Sequence, residues 1–480
     1  LARWTFTVAV DRSGTLPLAR QVEREVVRAV ADGRLVPGAT LPSTRALAAS
    51  AGVTRNTVVA AYAELRAQGW IEARPGGATR VAERLPVVAR APPTPDRLGF
   101  SLPAPPPLRA PLPAGPRALR LGAGEPDLRL VPGVLLARAI GRALRRRRGA
   151  LLGYGDPRGL PDYLDAVRAW LGDTRGLATR PGRLLSTRGA QHGLDLVARA
   201  LLRPGDRVVV EALGYAPAWR ALTLAGASLV PAPVDADGLQ VDAVVAAVAA
   251  GPVRAVYLTP HHQYPTTVTL SPARRAALLA LCGRHGIAVI EDDYDHEFHY
   301  DGPPRLPLAA ADPHGVVVYL GTWSKVLAPG LRLGFVHGPE ALVEALVEVR
   351  LASDRQGDAI VEAALAELVA DGDLPRHLRR MREVYRARRD ALVTAVRATL
   401  GGALAVEAPT GGIAAWARVA PDLDDEAWVA AAAARGVGLR PGRAFSATGE
   451  RVPGLRLVFS GLNEGELREA VARLAAARPR

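Results

Sequence analysis

Apolar residues recur at every fourth position at Leu18, Val22, Val26 and Val30, so a helix buries that face. Gly33-Arg-Leu-Val-Pro-Gly38 breaks the pattern. Ser43 is placed to N-cap a short helix carrying Leu47 and Ala48, and Ala51-Gly-Val53 makes a tight turn. Thr54 can cap the next helix, on which Val58, Tyr62 and Leu65 face a core. Arg55, Asn56 and Thr57 then occupy its first turn and point away. Gly69 ends this helix, and residues 70–73 and 78–81 can pair as a hairpin through Arg74-Pro-Gly-Gly77.

Beyond this the pattern changes twice. Residues 85–117 hold 11 prolines and little apolar periodicity, which predicts an extended linker rather than a core. From about 118 onwards short apolar runs alternate with helical stretches, at 207–211, 255–259, 287–291 and 316–320. Such Val/Ile runs suit buried parallel strands of an α/β domain. The expected domains are therefore 1–84, a linker at 85–118, and 119–480. No internal repeat is visible, and Arg145–Arg148 reads as a solvated helix end, with phosphate binding as an alternative.

Composition sharpens this. A chain of 480 residues is too long for one core. No apolar run approaches the roughly 18 residues of a membrane span, and no charged-then-apolar leader opens the sequence, so a cytoplasmic protein with no membrane contact is expected. Cys282 stands alone, which excludes an intrachain disulfide and points to a buried structural thiol. The net charge of +14 favours anionic partners such as nucleic acid. Lys+Arg total 61, yet the only lysine is Lys325. A coding bias can replace lysine by arginine wherever either cation serves, but a guanidinium cannot form an imine with a carbonyl. Chance survival aside, Lys325 is a chemical candidate.

Its surroundings support that. Gly321-Thr-Trp-Ser-Lys325 follows the apolar run 316–320, placing Lys325 on a loop at a strand's C-terminal end, where open α/β sheets bind ligands. Arg332, in Pro329-Gly-Leu-Arg-Leu-Gly334, has a fork suited to phosphate. Glu291-Asp-Asp-Tyr-Asp295 puts carboxylates at another strand end, with Asp293 and Asp295 expected to be solvated or capping. Ser186-Thr-Arg-Gly-Ala-Gln-His-Gly193 opens a helix whose NH groups can receive phosphate. His261, His262, His296 and His299 could suggest a metal, but no metal site is expected.

Two resemblances follow from these motifs. Gly38-Ala-Thr-Leu-Pro-Ser-Thr-Arg-Ala-Leu-Ala48, Gly52-Val-Thr-Arg-Asn-Thr-Val58 and the glycine-rich hairpin resemble the winged helix-turn-helix of GntR-type regulators. That resemblance implies contacts to a double-stranded DNA operator from Arg45, Thr54, Arg55, Asn56 and Thr57, and near Gly76 and Gly77; a helical module for protein contact is the alternative. Residues from about 119 resemble the fold-type I aminotransferases, which implies the cofactor pyridoxal 5′-phosphate (PLP). The resemblance assigns Lys325 to a Schiff base with the cofactor, Asp292 to its pyridinium, Tyr294 to its 3-oxygen and Tyr215 to its ring face. Thr322, Arg332 and Gly189-Ala-Gln191 fall on the phosphate, Tyr154 reaches a phosphate across a dimer, and Arg456 pairs with a substrate or effector carboxylate, with Arg443 as a second candidate. Packing is an alternative role for Tyr154 and Tyr215.

Aminotransferases usually place Asn before Pro-Thr-Gly, whereas Thr259-Pro-His-His-Gln-Tyr-Pro-Thr-Thr267 has Tyr264 in the Asn slot and Thr267 for Gly. This form, Glu-Asp-Asp-Tyr-Asp, and the order of winged helix, proline-rich linker and aminotransferase-like domain resemble the MocR subfamily of GntR regulators. The resemblance implies a PLP-dependent regulator, a head-to-tail homodimer, and a small amine, an amino acid or PLP itself as effector. A working aminotransferase with an accessory DNA-binding domain, and a regulator that has lost PLP, are the alternatives.

Overall fold

The computed structural model describes residues 6–73, 77–86, 101, 118–302 and 305–479. The chain divides into two compact units, Leu1–Leu108 and Arg109–Arg480. Except for 85, 86, 101 and 118, the expected linker lies outside the described residues.

In the first unit α1 (Leu18–Ala31) buries Val22, Val26 and Val30, as the four-residue spacing requires. Ser43 Oγ accepts the Ala46 NH to start α2 (Thr44–Ala51), and Thr54 Oγ1 accepts the Thr57 NH to start α3 (Arg55–Ala67). Between these helices Gly52 sits at φ 64°, a left-handed turn that a side chain would strain. Val58, Tyr62 and Leu65 join Val22, Val26 and Leu47 in one core, and Tyr62 Oη donates to Pro42 O at 2.9 Å. The hairpin forms as β1 (Ile71–Ala73) and β2 (Thr79–Val81), with Ile71 opposite Val81. Thr40 bridges to Arg80 on the far side of β2 and so extends the wing.

The second unit is built on a seven-stranded sheet. Its strands are β3 (Leu184–Thr187), β4 (Arg207–Glu211), β5 (Ser228–Ala232), β8 (Ala255–Leu258), β9 (Ala288–Asp293), β10 (Val317–Thr322) and β11 (Gly334–His337), and a short ribbon of β6 (Val234–Asp235) and β7 (Gly238–Leu239) stands apart. The order is β3-β11-β10-β9-β8-β4-β5. All pairs are parallel except those of β11, which runs antiparallel to both β10 and β3. The Val/Ile runs form β4, β8, β9 and β10, buried because separate apolar clusters cover the two faces of the sheet. From β4 the chain steps outward to β5 and then returns to β8 on the other side of β4, so the strand order reverses there. Ligands bind at such a reversal, beyond the carboxyl ends of the strands.

A three-stranded antiparallel sheet of β12 (Leu404–Val406), β13 (Ala414–Val419) and β14 (Gly454–Val458) packs with the long helix Asp373–Leu400 and the helix Glu464–Ala476 in the largest core. The run Arg145–Arg148 ends the helix Gly133–Arg147 and is exposed. Cys282 is a buried thiol, pushed up to about 12 by that burial.

Candidate functional site

A cavity of about 370 Å³ opens at the strand reversal. It gathers Tyr215 from after β4, Thr259 from the end of β8, Asp292 from β9, Thr322 and Lys325 from the end of β10, and Arg332 from before β11. Ala190 and Gln191 line it from the first turn of the helix Ala190–Leu201. Tyr294 and Arg456 complete it. Residues far apart in the sequence thus face one space.

Asp292 is buried, and its Oδ2 accepts the Tyr257 hydroxyl at 2.7 Å. Oδ1 is equally buried and has no hydrogen-bond partner. Burial pushes this carboxyl up to about 6. A buried carboxylate oxygen left open toward a cavity fits a ligand that brings its own NH, such as a pyridinium. Lys325 Nζ donates to Gly124 O at 2.7 Å. Burial first, and the Arg456 guanidinium second, lower its proton affinity below the ordinary lysine range. Both effects favour a neutral, nucleophilic amine.

At the other end of the cavity Gly189 caps its helix at φ 81°. A Cβ there would meet Arg332 Nη2 at 3.3 Å, so glycine lets that guanidinium approach the helix N-terminus. Arg332 Nη2 donates to Arg188 O at 2.8 Å, and Thr322 Oγ1 bonds Ser324 Oγ at 3.0 Å. Guanidinium, hydroxyl and helix N-terminus together make a phosphate cradle. Amine, unpaired carboxylate oxygen and cradle fit pyridoxal 5′-phosphate.

The aromatic wall departs from expectation in detail. Tyr215 and Tyr264 meet edge to face at 5.3 Å, and the Arg456 guanidinium lies 4.6 Å from the Tyr264 ring centroid. Arg456 is 3% exposed, and its Nε has no partner. Tyr294 Oη donates to His262 O at 3.0 Å. Thr267, in the slot usually held by glycine, adopts φ 64°.

Two expectations, the solvated acids and Arg443 as a second carboxylate partner, are corrected or displaced. Asp293 and Asp295 are buried rather than solvated, because His296 and His262 pair with them. His262 Nδ1 lies 2.7 Å from Asp295 Oδ1, and His296 Nδ1 lies 2.9 Å from Asp293 Oδ2. Burial alone would raise Asp293, yet His296, His261 and Arg175 hold its carboxyl well below the usual range. Among the described residues no cluster of three or more His, Cys, Asp or Glu side chains could hold a metal. Arg443 lies outside the cavity, half exposed and 3.4 Å from Glu426. Tyr154 is also outside it, 83% exposed, with the Arg355 guanidinium 4.3 Å from its ring centroid.

Some residues of the site had escaped the sequence. Tyr257 lies in mid-strand and looks like core until the parallel register sets it beside Asp292. Gly124, Glu125 and Arg440 carry no motif, and only the fold brings them to the cavity around Lys325.

In the first unit Arg45, Thr54, Arg55 and Asn56 are exposed and Thr57 is half-buried. The first turn of α3 therefore offers side chains and free backbone NH groups to a phosphate backbone or a base edge. Gly77 is exposed, whereas Gly76 lies outside the described residues. Among the described residues no helix is long and apolar enough to cross a membrane.

With this geometry in place, the chain was compared with known proteins. Residues 116–474 match the family "Aminotransferase class I and II", and residues 18–81 match "Bacterial regulatory proteins, gntR family". The chain is 32% identical to the probable rhizopine catabolism regulatory protein MocR of Rhizobium meliloti, covering 98% of this chain and 95% of that one. It is 33% identical to the HTH-type transcriptional regulator TauR of Rhodobacter capsulatus, covering 98% of each. Among solved structures, Pyrococcus horikoshii kynurenine aminotransferase, determined in complex with PMP, aligns with a TM-score of 0.71 at 29% identity, over 75% of this chain and 90% of that one. The chain therefore belongs to the MocR subfamily of GntR-type transcriptional regulators, in which a winged helix-turn-helix is joined to a PLP-dependent, fold-type I aminotransferase domain.

Proposed function

We propose that this regulator senses a small amine or amino acid at Lys325 and converts its capture into a change in operator affinity. The observation that carries this reading is the contact between Lys325 Nζ and Gly124 O. Gly124 belongs to the segment that continues from the linker and pairs through Leu119 and Gly122 with Gly436 and Gly438. On this reading, a change at Lys325 would act on the backbone at Gly124, which follows the linker in the chain. PLP, when bound, supplies an aldehyde for which Lys325 and an effector amine compete. Asp292 would hold the ring nitrogen, Tyr215 the ring face and Tyr294 the 3-oxygen, while Thr322, Arg332 and the 189–191 backbone hold the phosphate. Arg456 orients the effector carboxylate. An effector that frees Lys325 has different affinities for two states of the chain, which is what control requires.

Tyr154 supports a homodimer. It is highly exposed, as is Leu152 two residues before it at 72%; the Arg355 guanidinium lies over its ring, and Gln356 Oε1 accepts the NH of the next residue, Gly155, at 2.7 Å. An ordered tyrosine outside its own cavity suits a partner's phosphate, and a head-to-tail pair would present two winged helices to two half-sites. Arg45, Thr54, Arg55, Asn56, Thr57, Gly76 and Gly77 would make the DNA contacts, in the cytoplasm. The domains we assign are 1–84, 85–118 and 119–480.

The test is to load the full chain with PLP and supply amino acids with and without a keto acid. The expected result is a single spectral change with no sustained keto-acid consumption. Continuous turnover at ordinary enzymatic rates would favour an aminotransferase with an accessory DNA-binding domain.

A further inference from the structure

We propose that the buried pair His262–Asp295 is a positioning device, docking the turn Gly411-Gly412 and thereby setting Arg456 in place in the Lys325 cavity. This rests on the amino-acid reading of that cavity. The pair sits behind the cavity wall, with both side chains almost fully buried. Burying such a pair brings little net stability, and fixing the arrangement of the parts around it is the best-attested use.

Those parts come from both sheets. His262 follows β8 and Asp295 follows β9, and His262 Nδ1 lies 2.7 Å from Asp295 Oδ1. The turn Gly411-Gly412 leads into β13 and closes on the pair. A side chain on Gly411 would run into His262 Nε2, and one on Gly412 would meet Asp295 Oδ2 at 3.0 Å. Gly412 NH donates to Phe298 O and Tyr300 Oη donates to Gly412 O, both at 2.6 Å, which fixes the turn on the segment after Asp295. Beyond the turn Ile413 lines the cavity, and Trp416 of β13 stands opposite Arg456 of β14. The pair therefore joins the sheet with Asp292 and Lys325 at its edge to the sheet that carries Arg456. Tyr294, next to Asp295, donates to His262 O at 3.0 Å and ties the pair to the aromatic wall as well.

Asp295 also balances charge in the cavity. The ionic groups around Lys325 are Arg456 from β14, Asp292 from β9, Asp295 just after it, and Glu125 from the segment after the linker. Burial and then Arg456 lower the proton affinity of Lys325, and Asp295 opposes them most, ahead of Glu125 and Asp292. Around Asp295 itself stand His262, Tyr294 and Tyr300.

Two readouts on the full chain separate this role from simple packing. The first is the pH midpoint for borohydride trapping of PLP on Lys325. Asp295→Asn should lower it by about half a unit or more, since removing a neighbouring carboxylate disfavours the ammonium. The second follows the visible spectrum of the PLP-loaded chain with L-alanine and L-norvaline, against ethylamine and n-butylamine, the same side chains without the carboxylate. Native half-saturation is expected at about tenfold lower concentration for the amino acids, the scale of one charge-assisted hydrogen bond to Arg456. In His262→Ala that ratio falls to about threefold or less, while His262→Asn, whose amide can place a donor where Nδ1 stands, keeps most of it. A midpoint that stays or rises in Asp295→Asn, an undiminished ratio in His262→Ala, or equal losses in His262→Ala and His262→Asn overturns the inference and leaves the amino-acid reading standing. The Asp295→Asn midpoint decides alone if His262→Ala does not fold. A native chain whose spectrum no amino acid changes overturns that reading as well.

Discussion

Replacing Asp292 by Asn tests the cofactor site with almost no change of shape. In the native chain Oδ2 is held by Tyr257 and Oδ1 is buried without a partner. With Asp292 placed against the ring nitrogen as proposed, the substitution would remove a charge-assisted hydrogen bond to PLP, a change of about 1.5–3 kcal/mol, or roughly 10- to 150-fold in affinity. The same change has the opposite effect on the PLP-free protein. The folded carboxyl titrates at about 6 against an ordinary 3.8, because burial disfavours its charge. The folded state therefore holds the proton more tightly, and stability falls as pH rises through this window. Two pH units correspond to about 3 kcal/mol, a loss that the amide side chain of the variant no longer incurs. Asp292→Asn should thus bind PLP more weakly by absorbance titration at about pH 8, yet in the PLP-free form melt higher there and with a flatter pH profile. PLP affinity within about twofold of native, with an unaltered melting profile, would refute the placement of Asp292 against the ring nitrogen.

Further consequences can be measured separately. Arg55→Ala should weaken operator binding and, if Arg55 meets a phosphate, reduce the slope of log affinity against log salt by about one, as read by fluorescence anisotropy. Thr54→Ala removes the cap from α3 and should destabilise the first unit by about 1 kcal/mol in denaturant unfolding, with the large unit unaffected. Because burial and Arg456 both lower the proton affinity of Lys325, borohydride trapping of PLP should rise with pH to a midpoint below 10.5, and Arg456→Leu should move that midpoint upward. An upward shift is required because removing a neighbouring cation favours the ammonium.

Local chemistry explains what the sequence revealed. The helices and caps of the first unit were legible because Ser43, Thr54 and Gly52 act within four residues of themselves. Strands β4, β8, β9 and β10 were legible because burial on both faces forces continuous Val/Ile runs. Lys325, Asp292 and Arg332 were legible because each follows a strand or a turn with its own motif. Tyr257 and Arg440 were not, since register between strands, a property of pairs distant in sequence, is what sets Tyr257 behind Asp292 and brings Arg440 to the cavity. Asp293 and Asp295 were misplaced for a related reason. Their partners His296 and His262 bury them, and a run of acids looks solvated until those partners are known.

The most direct test of effector-controlled DNA binding is operator binding by the full chain on the intergenic DNA next to its own gene. It is measured at low salt, with and without PLP and an amino acid. The PLP-loaded native chain is expected to bind, the amino acid to change its affinity, and Lys325→Ala to bind DNA without colour and without that response. No DNA binding by the native chain, or an undiminished amino-acid response in Lys325→Ala, would contradict control through Lys325.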